Sequence, residues 1–296
     1  MTDNLKLNPW NKKNKLLTEN DVYNIYSKVG FKNVREIIKI NNLDLYQEAF
    51  VHSSYSLKNN EGIDISNKPN DIIDLFDNNY ENMEFLGDRC LDLAVAFYLY
   101  RMYPDTDQGF KTKIKTKIVR KEMLAKFATY LNFPKYLIIS KHIEDKTNLG
   151  RNNPRILEDV MESFLCAIFL DQNLNKIYYK DEIKKLKFIR LKGPGWEIVN
   201  GFIENLLEKC IDFEELILNE NNYKELLLQY YQKEFKITPN YLELKIEGPP
   251  HNRVFTMGVL DKFGNIVGRG VAKSKKEAEQ YASLEGLKYY GLNVNK

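Results

Sequence analysis

The sequence predicts a mainly α-helical domain followed by a small α+β module of order α-β-β-β-α. Three observations carry that prediction. Between about residues 20 and 215, apolar residues recur at helical spacing, interrupted by Pro104, Pro134 and Gly193-Pro194-Gly195. After residue 240 the spacing changes to period two, in residues 241–246 and again in 254–259. Residues 261–265 then supply the Asp, Gly and Asn of a hairpin turn. At 296 residues the chain has room for two domains.

The elements follow in order. Residues 21–29 and 34–40 are amphipathic and belong to a polar N-terminal extension, residues 1–40. The helical domain is expected over 41–220, with insertions near 57–80 and 173–195. The first insertion is rich in Asn and Asp and reads as a mobile surface loop. Residues 81–102 form a helix halted by Pro104, and 108–129 form one halted before Pro134. Residues 154–171 form a third, with Asn153 as cap and Pro154 in the first turn, where a missing N–H is harmless. The second insertion holds seven Lys or Arg against Asp181 and Glu182, so it either extends a polyanion-binding surface or is a solvated loop. Helical spacing resumes over 196–210. The module, expected over 222–293, has a helix at 223–235, strands at 241–246, 254–259 and 266–271, and a helix at 274–290.

Composition is that of a globular protein, 43% hydrophobic and 29% charged. Net charge is only +3, but its distribution is uneven. Residues 71–92 hold seven acids (Asp71, Asp74, Asp77, Glu81, Glu84, Asp88, Asp92) against Arg89 alone, whereas 111–126, 176–192 and 269–276 are basic. An acidic centre flanked by basic strips suits a protein that binds a cation and then a polyanion. Cys90, Cys166 and Cys210 lack any C-x-x-C spacing, which argues against a disulfide framework or zinc site and for a reducing compartment. The N-terminus is charged from its start, unlike a secretory signal. No apolar run reaches the roughly 18–20 residues that span a bilayer. These features lead us to expect a soluble, intracellular protein.

Two helical stretches carry carboxylates where a buried helix does not want them. At 3.6 residues per turn, Glu81, Glu84 and Asp88 share one face of the first, and Asp159 and Glu162 one face of the second. Ile156, Leu157, Val160, Met161, Phe164, Leu165, Ala167 and Ile168 leave the second helix almost no polar side, as in a buried helix. Like charges one turn apart repel, and no Lys or Arg occupies a compensating position; Arg89 lies about 100° around the helix from Asp88. A divalent metal is the simplest missing cation. The plain alternative is two ordinary solvated faces.

At these residues the chain resembles the ribonuclease III family. Glu81-Asn82-Met83-Glu84-Phe85-Leu86-Gly87-Asp88 is similar to its hallmark Glu-x-x-Glu-Phe-Leu-Gly-Asp, and Leu157-Glu158-Asp159-Val160-Met161-Glu162 to its later acidic helix. Ala49 to Tyr55 and Gly109 to Lys126 also resemble family segments, while Cys166 and Lys115 depart from the residues common there. The resemblance implies an endonuclease fold that hydrolyses double-stranded RNA, leaving 5′-phosphate and 3′-hydroxyl ends with short 3′ overhangs. It implies a homodimer forming one cleft. Hard divalent ions with oxygen ligands suit the chemistry, Mg²⁺ first and Mn²⁺ as substitute. Glu84, Asp88, Asp159 and Glu162 are the expected metal ligands, with Glu162 able to bridge metals, and an activated water is the expected nucleophile. Glu81, at the helix entrance, is assigned to RNA contact or outer support. Leu91, Leu93, Val95, Ala96 and Phe97 exceed what one helix face needs, which fits either an interface or a core.

The terminal module resembles a double-stranded-RNA-binding domain. Gln229 and Gln232 are matched to its minor-groove contacts, and Gly248-Pro249-Pro250-His251 to its histidine loop. Lys273, Lys275 and Lys276 are matched to its phosphate clamp, while Leu228 stands where a polar residue is common. Physics agrees, because A-form RNA exposes 2′-hydroxyls and phosphates rather than base edges. His52 reads as a packed structural histidine and His142 carries no signal. The competing function is a protein that binds and sequesters duplex RNA on an inert nuclease scaffold, which the presence of all four carboxylates disfavours. A phosphohydrolase of the histidine-aspartate type would need His-Asp pairs that the chain lacks.

Overall fold

The computed structural model describes residues 8–63, 68–146, 149–173, 193–213, 216, 223–249 and 253–292. The chain divides into two compact units, Met1–Cys210 and Ile211–Lys296.

The first unit is helical: α1 (Glu19–Val29), α2 (Val34–Ile37), α3 (Leu43–Glu48), α4 (Glu81–Met102), α5 (Gln108–Ile118), α6 (Lys121–Tyr130), α7 (Lys141–Lys146), α8 (Pro154–Asn173) and α9 (Gly195–Cys210). The near-uniform apolarity of α8 makes it the centre, with α4, α6, α9 and α3 packed around it. Phe164, fully buried, lies 5.0–6.0 Å from the rings of Phe133, Tyr46, Phe202 and Phe50. Helix starts follow local chemistry. Thr18 and Asp21 close a capping box on α1, and Asn153 caps α8 by accepting the Arg155 N–H at 3.0 Å. On α4 the buried residues Met83, Gly87, Leu91, Val95 and Leu99 form one stripe.

One expectation needs correction. The single helix expected over 108–129 is two, because Arg120 is extended (φ −73°, ψ 150°). The apolar phase marks the break: Ile114 and Ile118 are one turn apart, but the next inward position, 122, is Glu, and the pattern restarts at Met123. The polar surface loop expected over 57–80 carries apolar anchors among its described residues. Its Ile63, Ile72, Leu75 and Phe76 pack with Trp10, Val51, Tyr55 and Ile138. Tyr55 also donates from Oη to the Ile73 carbonyl at 2.8 Å. Of the four anchors only Ile72 is buried; the other described residues of the stretch up to 79 are at least partly exposed, as the surface reading has it. The basic insertion falls mostly at 174–192, outside the described residues.

The N-terminal residues form a strap on the same unit. Asn11 and Asn14 both donate to the Ile139 carbonyl (3.1 and 3.0 Å), and Asn14 Oδ1 accepts the Ile139 N–H at 3.2 Å. Asn11 also donates to Glu144, which accepts from Lys13 at 3.2 Å and pairs with Arg151 at 2.6 Å.

The second unit contains α10 (Tyr223–Phe235), β1 (Asn240–Glu247), β2 (Val254–Leu260), β3 (Ile266–Ala272) and α11 (Lys275–Tyr289). Its antiparallel sheet has order β1-β2-β3. Asp261 Oδ1 accepts the Phe263 and Asn265 N–H groups, both at 2.8 Å, and Gly264 takes the left-handed φ of 87° that this turn requires. Leu227, Tyr231, Val259, Val267, Ala282 and Leu287 fill the core. Helix α11 lies so close to β3 that a Cβ on Gly270 would sit 2.0 Å from the Ala278 carbonyl oxygen, and one on Gly268 2.2 Å from that of Ala282.

Candidate active centre and RNA-binding surface

Helices α4 and α8 meet at Gly87. A Cβ there would fall 1.8 Å from the Glu162 carbonyl oxygen, so only glycine lets the two backbones touch. Glu84 and Asp88 lie within a turn of this contact on α4, and Asp159 and Glu162 on α8. The contact therefore sets the two carboxylate stripes beside each other.

Their electrostatics reflect that proximity. Burial, then the charges of Asp88, Glu158, Glu84 and Asp159, pushes the Glu162 carboxyl up to about 8. Burial followed by Asp159, Glu81, Glu158 and Asp88 pushes Glu84 up to about 7. Asp159 is also raised, chiefly by burial, against the lowering effect of a hydrogen bond from Tyr80 and the charge of Arg155. Yet among the described residues no group of three or more His, Cys, Asp or Glu side chains is arranged to hold a metal ion. The donor set nonetheless fits a hard divalent cation in chemistry, being four carboxylates that crowd and repel one another. The Arg89 guanidinium pairs with Asp88. This corrects the expectation that Arg89 is directed away, because its long flexible stem spans the angle between neighbouring helix positions.

Several neighbours escaped the sequence reading. Tyr80, 3% exposed, donates from Oη to Asp159 Oδ2 at 2.9 Å. Ser163 Oγ bridges the Asp159 and Tyr80 carbonyls at 2.7 and 3.3 Å. Glu158 is half-buried and raised by burial and Asp159; it stands one turn before Glu162 on the same side of α8, and that i, i+4 spacing was the signal for it. The only signal for Tyr80 was its place just before the first stripe. Glu81 is exposed at the entrance to α4, where its charge suits the helix N-terminus. His52 accepts the Ser54 N–H at Nδ1 (3.0 Å) and stands edge-on to Tyr80, with burial lowering its pKa against the opposing charge of Glu81.

On the second unit, Gln232 is exposed and Gln229 half-buried on α10, while Lys273, Lys275 and Lys276 are exposed around the start of α11. Ser274 caps that helix, accepting the Glu277 N–H at 3.2 Å, so the three lysines flank a helix N-terminus suited to phosphate. Lys275 Nζ stands 2.5 Å from Glu243 Oε2. His251 lies outside the described residues.

Fold and sequence together define a helical nuclease unit followed by a separate RNA-binding module. Residues 42–184 match the ribonuclease-III-like family model, and 223–290 match the double-stranded RNA binding motif. A "Ribonuclease 3" of Borreliella afzelii is 33% identical over 256 residues, 85% of this chain and 86% of that protein. One from Lactococcus lactis is 36% identical over 249 residues, covering 84% and 90%. A "Probable ribonuclease 3" of Acanthamoeba polyphaga mimivirus is 32% identical over 97% of this chain, which spans 48% of that longer relative. The chain belongs to the ribonuclease III family.

Proposed function

We propose that the protein is a divalent-metal-dependent endoribonuclease that cuts both strands of duplex RNA. The observation that carries this reading is the backbone contact at Gly87, which crowds four carboxylates where α4 packs on the buried helix α8. Nothing in the folding of a helix pair calls for that charge, and a catalytic cation does. Glu84, Asp88, Asp159 and Glu162 would hold Mg²⁺, or Mn²⁺ in its place. When bound, the cation would lower the cost of ionising the attacking water and offset charge at the phosphate. The crowded carboxyls would give up their protons as the cation arrives, and Arg89 pairs with Asp88 until then. Products would carry 5′-phosphate and 3′-hydroxyl ends with short 3′ overhangs.

The second unit, spanning about residues 222–293, would grip the duplex. Gln229, Gln232 and His251 would face minor grooves, Lys273, Lys275 and Lys276 the phosphates between them, and Glu81 would contact RNA near the cut. On α4, Phe85, Leu93, Phe97 and Tyr100 are 75%, 56%, 46% and 71% exposed along one face. Exposed apolar residues concentrated on one face support a homodimer whose two centres share a cleft. The three cysteines are all free thiols, in keeping with a reducing compartment, and among the described residues no helix is long and apolar enough to cross a membrane.

Incubation of the purified chain with long duplex RNA tests the reading. Cleavage is expected with Mg²⁺ or Mn²⁺ and none with EDTA, and duplex DNA should be spared. Shift of the RNA without cleavage under any divalent ion would instead establish the sequestering protein.

A further inference from the structure

Tyr80 is the residue that touches both halves of the carboxylate set. Its backbone carbonyl accepts the N–H groups of Met83 and Glu84 at 2.8 and 2.9 Å, which fixes the first turn of α4 and the origin of the Glu84 side chain. Its phenol crosses to α8 and donates to Asp159 Oδ2 at 2.9 Å. Its own position is over-determined. The Tyr80 N–H donates to the Val51 carbonyl at 2.9 Å, Ser163 donates to its carbonyl, and its ring packs edge-on against His52 at 5.7 Å between centroids.

A buried phenol could have been satisfied by any nearby carbonyl. Here it is spent on a carboxylate that belongs to an already crowded anionic group, and it takes one of that carboxylate's two oxygens. A carboxyl group rotates freely about χ2 unless something holds it, and a ligand oxygen that rotates binds a cation weakly. We propose that Tyr80 is a positioning residue of the active centre, holding one oxygen of Asp159 and so fixing the rotation from which that carboxylate meets a divalent cation. The proposal rests on the metal-dependent reading above.

The test is direct Mn²⁺ titration of the full chain, following free Mn²⁺ by its electron paramagnetic resonance signal, with duplex cleavage measured in parallel. Tyr80→Phe keeps the ring and loses only the hydroxyl. It is expected to bind Mn²⁺ roughly 10-fold more weakly, the lower end for loss of an outer-shell partner. Its cleavage should recover towards wild type as Mn²⁺ is raised. Ser163→Ala removes hydrogen bonds to the backbone of the same two residues but leaves the Tyr80–Asp159 bond, and should leave Mn²⁺ affinity unchanged. p-Aminophenylalanine at position 80 restores a donor and should bind Mn²⁺ within about twofold of wild type.

Equal affinity for wild type and Tyr80→Phe, an equal loss in Ser163→Ala, or a tenfold loss with p-aminophenylalanine each overturns the role of Tyr80. Failure of the wild-type chain to take up Mn²⁺, or uptake indifferent to Glu162→Gln, overturns the metal reading itself.

Discussion

Both units contain a place where two backbones touch through glycine, Gly87 in the first and Gly268 with Gly270 in the second, and these two places have opposite surroundings. At Gly268 and Gly270 the sheet meets α11 among Ala278, Ala282 and Gly286, with the lysines kept away at the end of the helix. At Gly87 two helices meet among Glu84, Asp88, Asp159 and Glu162. The first contact is what close packing produces when it is asked only to hold a module together. The second places repelling charge where dry side chains would be more stable, a difference that the proposed metal site accounts for.

The largest way to break the comparison is to add a methyl group to either contact. Gly270→Ala should cost the second unit about 3 kcal/mol, the upper range for overpacking, and weaken duplex-RNA affinity while cleavage persists at low salt. Gly87→Ala should cost the first unit a similar amount and abolish cleavage, since α4 and α8 must separate. Thermal melts with binding and cleavage assays read both, and a Gly87→Ala chain of normal activity would undo the account of the centre.

Glu162→Gln sharpens the contrast, because it separates function from folding. Cleavage should fall at least 100-fold, yet in EDTA the melting temperature should rise, by roughly 1 kcal/mol in stability, as repulsion is relieved. Glu144 is the opposite case. Burial raises its carboxyl, but hydrogen bonds from Arg151, Asn11 and Lys13 outweigh that and hold it below the usual 4.5. A carboxyl lowered in the folded state contributes stability that is complete above the unfolded value and is lost as pH falls through the folded one. Glu144→Gln should therefore cost about 2 kcal/mol at pH 7 and much less at pH 3, as a melt at each pH would show. The smallest effect belongs to the rim of the second unit. Lys275→Ala with Lys276→Ala should leave stability unchanged and flatten the salt dependence of RNA binding by about two phosphate contacts.

Much of this architecture was readable because period and punctuation agree along the chain. Helix α4 matches the expected 81–102, α10 matches 223–235, and the three strands extend their alternating runs by only one or two residues. The uniform apolarity of α8 told in advance that it is central. What stayed hidden depends on contacts distant in sequence. The Arg89–Asp88 pair depends on a side-chain rotamer, which backbone periodicity does not encode. Tyr80 looks like an ordinary aromatic until the chain brings Asp159 to it from 79 residues away. Ile72 and Phe76 hide in a stretch whose average polarity says loop. The α5–α6 break could have been found by following the phase of the apolar residues rather than their density.

The strap has a consequence in time rather than in space. Asn11 finds its carbonyl acceptor 128 residues downstream, and Asn14 finds the same group 125 residues on. During synthesis at roughly 5–20 residues per second, those two asparagines must wait on the order of 10 s after leaving the ribosome before Ile139 exists to receive them. Glu144 and Arg151 come later still. The strap thus docks only after residues 139–151 have been made, and its contacts report on the closure of a loop of well over a hundred residues.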